Sequence, residues 1–381
     1  MNRPSRIILA VATAIVLVAG AGPAWAASWV VQTSASPTAF FITFQGVATT
    51  SSTNAWAVGW YADNSGDHTL IEHLQGSTWT QVPSPNPGSA GNFLYGVRGS
   101  SASNVWAVGV REDSGSVDRP LAARYNGTSW SAKSVQDPGS DSGFAGVGLG
   151  SSTNVWAVGH QTDGTGKQQP LAEHYDGSAW SIVAVPSLAH GGGLSSVTVL
   201  SSTNVWAAGT AFDASGNLLT LIEHYDGTAW SQVTSPSPSA TDNQLSGISG
   251  NGASDVWAVG QYFNANKGTE FSLLLHYDGS SWTQVNHGHV GSADSFRSVK
   301  AVSSTDVWAA GDFVRTSDGR TSTLIYHYDG TSWTQSPTPN GQTNGGVLYG
   351  VASSGPTSSF AVGTHTDSSS LERTLALHCA C

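Results

Sequence analysis

One motif returns along the chain at a nearly fixed interval. Aligning the stretch Trp-Ala-Val-Gly and its variants places its aromatic residue at Trp56, Trp106, Trp156, Trp206, Trp257, Trp308 and Phe360, at spacings of 50, 50, 50, 51, 51 and 52 residues. Self-similarity at such a period marks a repeat architecture built from stacked small units. A polar turn such as SSTN or SSTD precedes each copy, and a short apolar run such as FQGVATT or LYGVRGS lies before that turn. After each copy comes an element like LIEHYDG, then a Trp that opens a run like WSQVTSPSP. Short runs of Val, Ile, Trp and Tyr bounded by Gly, Asn, Asp, Ser and Pro read as strands. Each unit therefore holds four strands, here lettered a to d in chain order. Four strands in about 50 residues make one blade of a β-propeller. The expected fold is all-β, a seven-bladed β-propeller with four antiparallel strands per blade. It should occupy residues 27–381 as a single domain.

The two ends of the chain bear on how the ring closes. The last repeat finishes at LALHCAC without a d strand, while ASWVVQTSASP near the start reads as a d strand with Trp29 at the usual Trp position. With Trp79, Trp130, Trp180, Trp230, Trp282 and Trp333, Trp29 completes a set of seven. The N-terminal strand should therefore complete the last blade and leave no open sheet edge. The a–b and c–d turns are tight and nearly constant, whereas the b–c and d–a connections differ in every repeat. In a propeller these sets emerge on opposite faces, so one face is constant and the other diversified.

The order Val-Trp-Ala-Val-Gly, His-Tyr-Asp-Gly-x-x-Trp and Pro-x-Pro resembles the repeat of kelch and galactose-oxidase-like propellers. The resemblance spans residues 27–381 at the level of pattern and implies the propeller fold. Two departures stand out. A kelch blade ends strand b with Gly-Gly, whereas Gly159 and its equivalents are followed by a variable residue, and the turn after Tyr-Asp is shorter here. A galactose-oxidase-type copper site needs a Cys cross-linked to a Tyr within the propeller, and Cys379 and Cys381 are both at the extreme C-terminus.

Arg3 and Arg6, an apolar stretch from Ile7, and the small-x-small sequence Ala24-Trp25-Ala26 read as a secretory signal peptide over residues 1–26. The apolar stretch is shorter than the ~20 residues a membrane span needs. A secreted, extracellular protein with no membrane attachment after cleavage is expected. Cleavage removes two arginines and no acids, which takes the formal charge from −11 to −13. Such an acidic surface repels phosphate backbones and disfavours nucleic acid as a partner.

Repetition also separates framework from chemistry. Thirteen of the fourteen tryptophans beyond residue 26 recur at two positions per repeat, which is the pattern of blade packing. His73, His174, His224, His276, His327 and His378 share one place on strand c, and Arg124 takes the one remaining equivalent position of the seven. Set one per blade, they cannot approach a common metal ion and read as buried, hydrogen-bonded framework. No metal and no cofactor are expected; His287-Gly-His289 offers only two ligands. The Asp residues of the b–c loops, such as Asp63 and Asp163, read as turn formers.

Function should lie where the repeats disagree. One variable ring follows the strand b Gly: Trp60, Val110, His160, Thr210, Gln261, Asp312 and Thr364. A second lies near the start of strand a: Gln45, Tyr95, Ala145, Ser195, Ser246, Arg297 and Tyr349. Both are expected to open around the central channel on the diversified face. The candidate ligand-binding residues are Trp60, Tyr61, Tyr95, His160, Tyr262, Arg297, Asp312 and Tyr349. Aromatic faces with scattered hydrogen-bonding groups suit an uncharged polar ligand such as a sugar. The leading expectation is a secreted, monomeric binding module for carbohydrate or another extracellular protein, either lectin-like or a protein-interaction scaffold. The alternative is a polysaccharide lyase or glycoside hydrolase, whose acid–base pair would come from His160, Asp312, Tyr95, Tyr349 and Arg297.

Overall fold

Each repeat folds into one antiparallel sheet. The computed structural model describes residues 28–35, 37, 39–139, 141–339 and 345–381, and the expected signal peptide lies outside them. β1 (Trp29–Gln32) comes first, followed by β2 (Phe41–Ser51), β3 (Asn54–Asp63), β4 (Gly66–Gln75) and β5 (Thr78–Gln81). These last four pair in sequence order as the first blade. Five further blades repeat the plan, beginning at Gly91, Ser142, Gly192, Asn243 and Ala293. The seventh holds Gly346–Gly355, Ser358–Thr366 and Glu372–Cys379, and its fourth strand is β1. Trp29 lies opposite Cys379 and Gln32 opposite Ala376, so the N-terminal strand closes the ring as expected.

The two recurring tryptophans explain why blades stack. In every seam the strand b aromatic of one blade meets the strand d Trp of the next. Trp56–Trp130, Trp106–Trp180 and Trp156–Trp230 each meet edge to face with centroids 5.3 Å apart. The pattern crosses the closure: Trp308 meets Trp29 at 5.5 Å, and Phe360 meets Trp79 at 6.3 Å. Such pairs contribute about 0.5–1.5 kcal/mol beyond the apolar area they bury.

The strand c histidines stiffen the same corner. His73 stacks on Trp56 at 3.7 Å, and its Nε2 bonds Asn54 Oδ1 at 3.0 Å. His224 repeats this with Trp206 and Asn204. Arg124 replaces the imidazole by a cation over Trp106 and donates to Asn104. Their role is framework, but the expected burial holds only for His73; the other histidines are half-buried. Burial holds several of them, including His224, below the ordinary imidazole range. Among the described residues no group of three or more His, Cys, Asp or Glu could hold a metal. His287 instead bonds Ser272, and His289 bonds Asp294.

Three carboxylates interrupt the apolar seams. Glu72, Glu173 and Glu223 sit at one strand c position and are each 0% exposed. The chain six residues beyond the preceding strand d Trp supplies their donors. Ala35 N–H reaches Glu72 at 3.2 Å, and Gln136 N–H reaches Glu173 at 3.1 Å. Pro186 holds the equivalent place before Glu223 and has no N–H to give. Both Glu223 oxygens consequently lack a hydrogen bond.

The turns behave as the sequence suggests. Asp163 Oδ1 accepts from the Thr165 and Lys167 backbone, and Asp226 Oδ1 from Thr228 and Ala229. Cys379 and Cys381 form a disulfide across two positions, too local to staple the ring.

Candidate functional site

Strand a is the innermost strand of each blade, and an irregularity in it builds the site. In all seven blades the a–b register slips by one residue, between Phe44 and Gly46 in the first and at equivalent points in the rest. A bulge of this kind leaves one residue unpaired and re-aims its side chain. The seven unpaired residues are Gln45, Tyr95, Ala145, Ser195, Ser246, Arg297 and Tyr349. All of them line one cavity of about 320 Å³ in the central channel.

The next residue explains how seven inner strands can meet. A Cβ on Gly46 would lie 2.9 Å from Tyr95 O, and one on Gly146 would lie 2.9 Å from Ser195 O. Glycine therefore lets neighbouring strands touch around the channel. Two blades carry Ser here, and both hydroxyls tie to the inner strand of the next blade: Ser196 Oγ accepts from Ile248 N–H and Ser298 Oγ from Val351 N–H. The wall of the cavity is closely approaching backbone, and the bulged side chains are its variable lining.

Arg297 is the most constrained of these side chains. Its Nε donates to Asp312 Oδ1 at 2.8 Å, which also accepts from Ser295 Oγ at 3.0 Å. Its guanidinium carbon lies 5.7 Å from the centroid of the Tyr349 ring. Tyr95 is pushed up to about 12 by burial and by the charges of Asp118 and Glu112. Tyr349 is also raised, chiefly by burial. Both phenols thus keep their protons at neutral pH and serve as hydrogen-bonding, stacking surfaces.

The structure brings together Tyr95, Arg297 and Tyr349, with Asp312 bracing Arg297 from strand b. The remaining candidates lie elsewhere. Strand b stands one strand outward, and from it Trp60 and His160 turn into the blade seams, contrary to expectation. Trp60 is half-buried, stacked on Phe41 at 4.5 Å and edge-on to Phe93 of the next blade at 5.1 Å. His160 faces the next blade, where a Cβ on Gly193 would lie 3.2 Å from its own Cβ. Tyr61 lines a separate shallow groove with Thr69, Gln81 and Ser84. Tyr262 lines another with His287 and His289. The acid–base set that paired His160 with the channel residues is therefore not assembled.

Two cations escaped the sequence reading. Arg98 lines the same cavity, three residues beyond the bulged Tyr95, and Lys300 holds the equivalent place beyond Arg297. The other five blades put Ala48, Gly148, Thr198, Ser249 and Ala352 there. Two cations in a ring of small residues, in a chain with only 14 Lys and Arg, were the available signal.

No protein-family model matches the chain, and no curated protein does either. Solved structures do resemble it. YCF48 bound to D1 peptide aligns over 95% of this chain and 97% of its own, at 12% identity and a TM-score of 0.57. YCF48 from Cyanidioschyzon merolae aligns over 92% and 98%, at 14% identity and a TM-score of 0.51. The polysaccharide lyase Uly1 aligns over 88% and 89%, at 10% identity and a TM-score of 0.53. At such identities the likeness establishes a shared β-propeller fold, without establishing membership of the kelch family.

Proposed function

We propose that this protein is a secreted ligand-binding propeller whose site is the central channel, entered from the face that carries the b–c and d–a loops. The observation that carries this reading is the bulge repeated in all seven inner strands. One backbone device, built seven times, presents seven side chains to a single cavity. Those side chains include an amide, two phenols, two serine hydroxyls and a guanidinium, a set suited to a polar ligand with hydroxyl groups. Carbohydrate fits this chemistry best, and an extracellular peptide is the second class.

An enzymatic reading, as a polysaccharide lyase or glycoside hydrolase, draws support from the convergence of Tyr95, Arg297 and Tyr349 on one cavity. Protonated phenols and an Arg-bound Asp312 offer no evident base, so binding is the better account. A glycan and peptide array, followed by mass spectrometry of any bound ligand, tests both. Binding without new products supports the module. Shortened or unsaturated oligosaccharides would support the enzyme, and no binding to either class would refute the channel reading. Sequencing the N-terminus of protein recovered outside the cell tests the export expectation, which requires a start at Ala27.

A further inference from the structure

Two cations at one position of the inner strands have no partner among the described residues, and one of them, Arg98, lines the cavity. Arg98 and Lys300 are half-buried and belong to blades on different sides of the ring. Neither makes a hydrogen bond or ion pair with any described residue, whereas Arg297 is held by Asp312. Their nearest equivalents around the ring are small and uncharged. Removing a cation from bulk water without a counter-charge is costly, and proteins ordinarily pair such groups.

The two charges also oppose each other. Burial lowers both below their ordinary ranges, and proximity to Arg98 contributes to bringing Lys300 down to about 8. At neutral pH both remain charged. The chain as a whole is acidic, so this throat is a local reversal of sign. Nothing in the packing requires it, because Ala or Gly fills the same position in three blades.

We propose that the channel between Arg98 and Lys300 is an oxyanion-binding site that receives a carboxylate, or a phosphate or sulfate group, of the bound ligand. The proposal rests on the channel being the ligand site and adds that the ligand is anionic at its inserted end. Arg98 offers a planar fork that matches a two-oxygen edge, and Lys300 a point charge. The half-exposed Tyr95, Tyr349 and Gln45 would surround the neutral part of the ligand nearer the mouth. A ring of glycines beside them leaves room for it.

The test titrates residues 27–381 with glucuronate, inorganic phosphate and glucose at low ionic strength. At least one oxyanion should bind while glucose does not, and comparing glucuronate with phosphate identifies the preferred group. Arg98→Gln and Lys300→Gln should each weaken that binding by about ten- to a hundredfold, the range expected for a hydrogen bond to a charged group. Both variants should melt no lower than the parent in anion-free buffer, because each removes an uncompensated charge. A second reading needs no variant. The melting temperature of the parent protein should rise in phosphate or glucuronate relative to chloride of equal ionic strength, since binding stabilises the native state by mass action. No binding of either oxyanion, or binding unaffected by both variants, overturns the proposal. A neutral ligand that depends on Tyr349 but not on Arg98 or Lys300 would also overturn it while leaving the channel reading intact.

Discussion

Substituting Glu223→Gln probes how a blade seam tolerates a buried carboxylate with no donor. Glu223 is 0% exposed, and desolvation raises its carboxyl from 4.5 to about 7. The folded protein therefore holds a proton that the unfolded chain has released across that interval. Stability should fall as pH climbs from about 4.5 to about 7, and the loss should be complete above it. At about 1.4 kcal/mol per pH unit, the rise corresponds to about 3 kcal/mol. Gln cannot ionise, so whatever constant packing cost it brings is independent of pH. Urea unfolding of both proteins at intervals from pH 4 to pH 8 gives the difference in stability at each point. The variant should gain about 3 kcal/mol on the parent across that range. All other ionisable groups are common to the two proteins and cancel in the difference. Pro186→Ala, which restores the donor seen at Gln136, should reduce the effect. Parallel stability curves for parent and Glu223→Gln would refute the reasoning.

Three further substitutions separate framework from site. Trp29→Ala removes the closing contact with Trp308 and the bond from its Nε1 to Ser336. Denaturant unfolding should show a loss of about 3–5 kcal/mol, typical of a buried Trp. His224→Ala should lower the melting temperature and leave the ligand affinity of the folded protein unchanged. Trp60→Ala should likewise cost stability, through Phe41 and Phe93, and leave channel binding within about twofold of the parent; isothermal titration beside a thermal melt checks both.

Much of the fold was legible because the repeat constrains it seven times. A single Trp is ambiguous, but a Trp recurring every blade identifies a seam, and Trp29 at the opposite end of the chain identifies the missing strand. The bulged ring was legible for the same reason, since Gln45, Tyr95, Arg297 and their equivalents vary where their neighbours do not. Trp60 and His160 misled because variation alone does not say which side of a strand faces the channel. That depends on strand b standing behind strand a, a distance no alignment of repeats contains. Arg98 and Lys300 were overlooked because their ring is mostly small residues and resembles packing. Pro186 was invisible for another reason: its missing N–H matters only because the next blade brings Glu223 against it.

The affinity of Tyr349→Ala for a ligand identified on the array tests the central claim most directly. Tyr349 projects from a bulge into the cavity, contacts the Arg297 guanidinium and lies outside the tryptophan seams. The account predicts a dissociation constant at least about tenfold weaker, equivalent to about 1.4 kcal/mol, with the melting temperature nearly unchanged. An unchanged dissociation constant in a folded Tyr349→Ala protein would contradict it and move the site away from the channel.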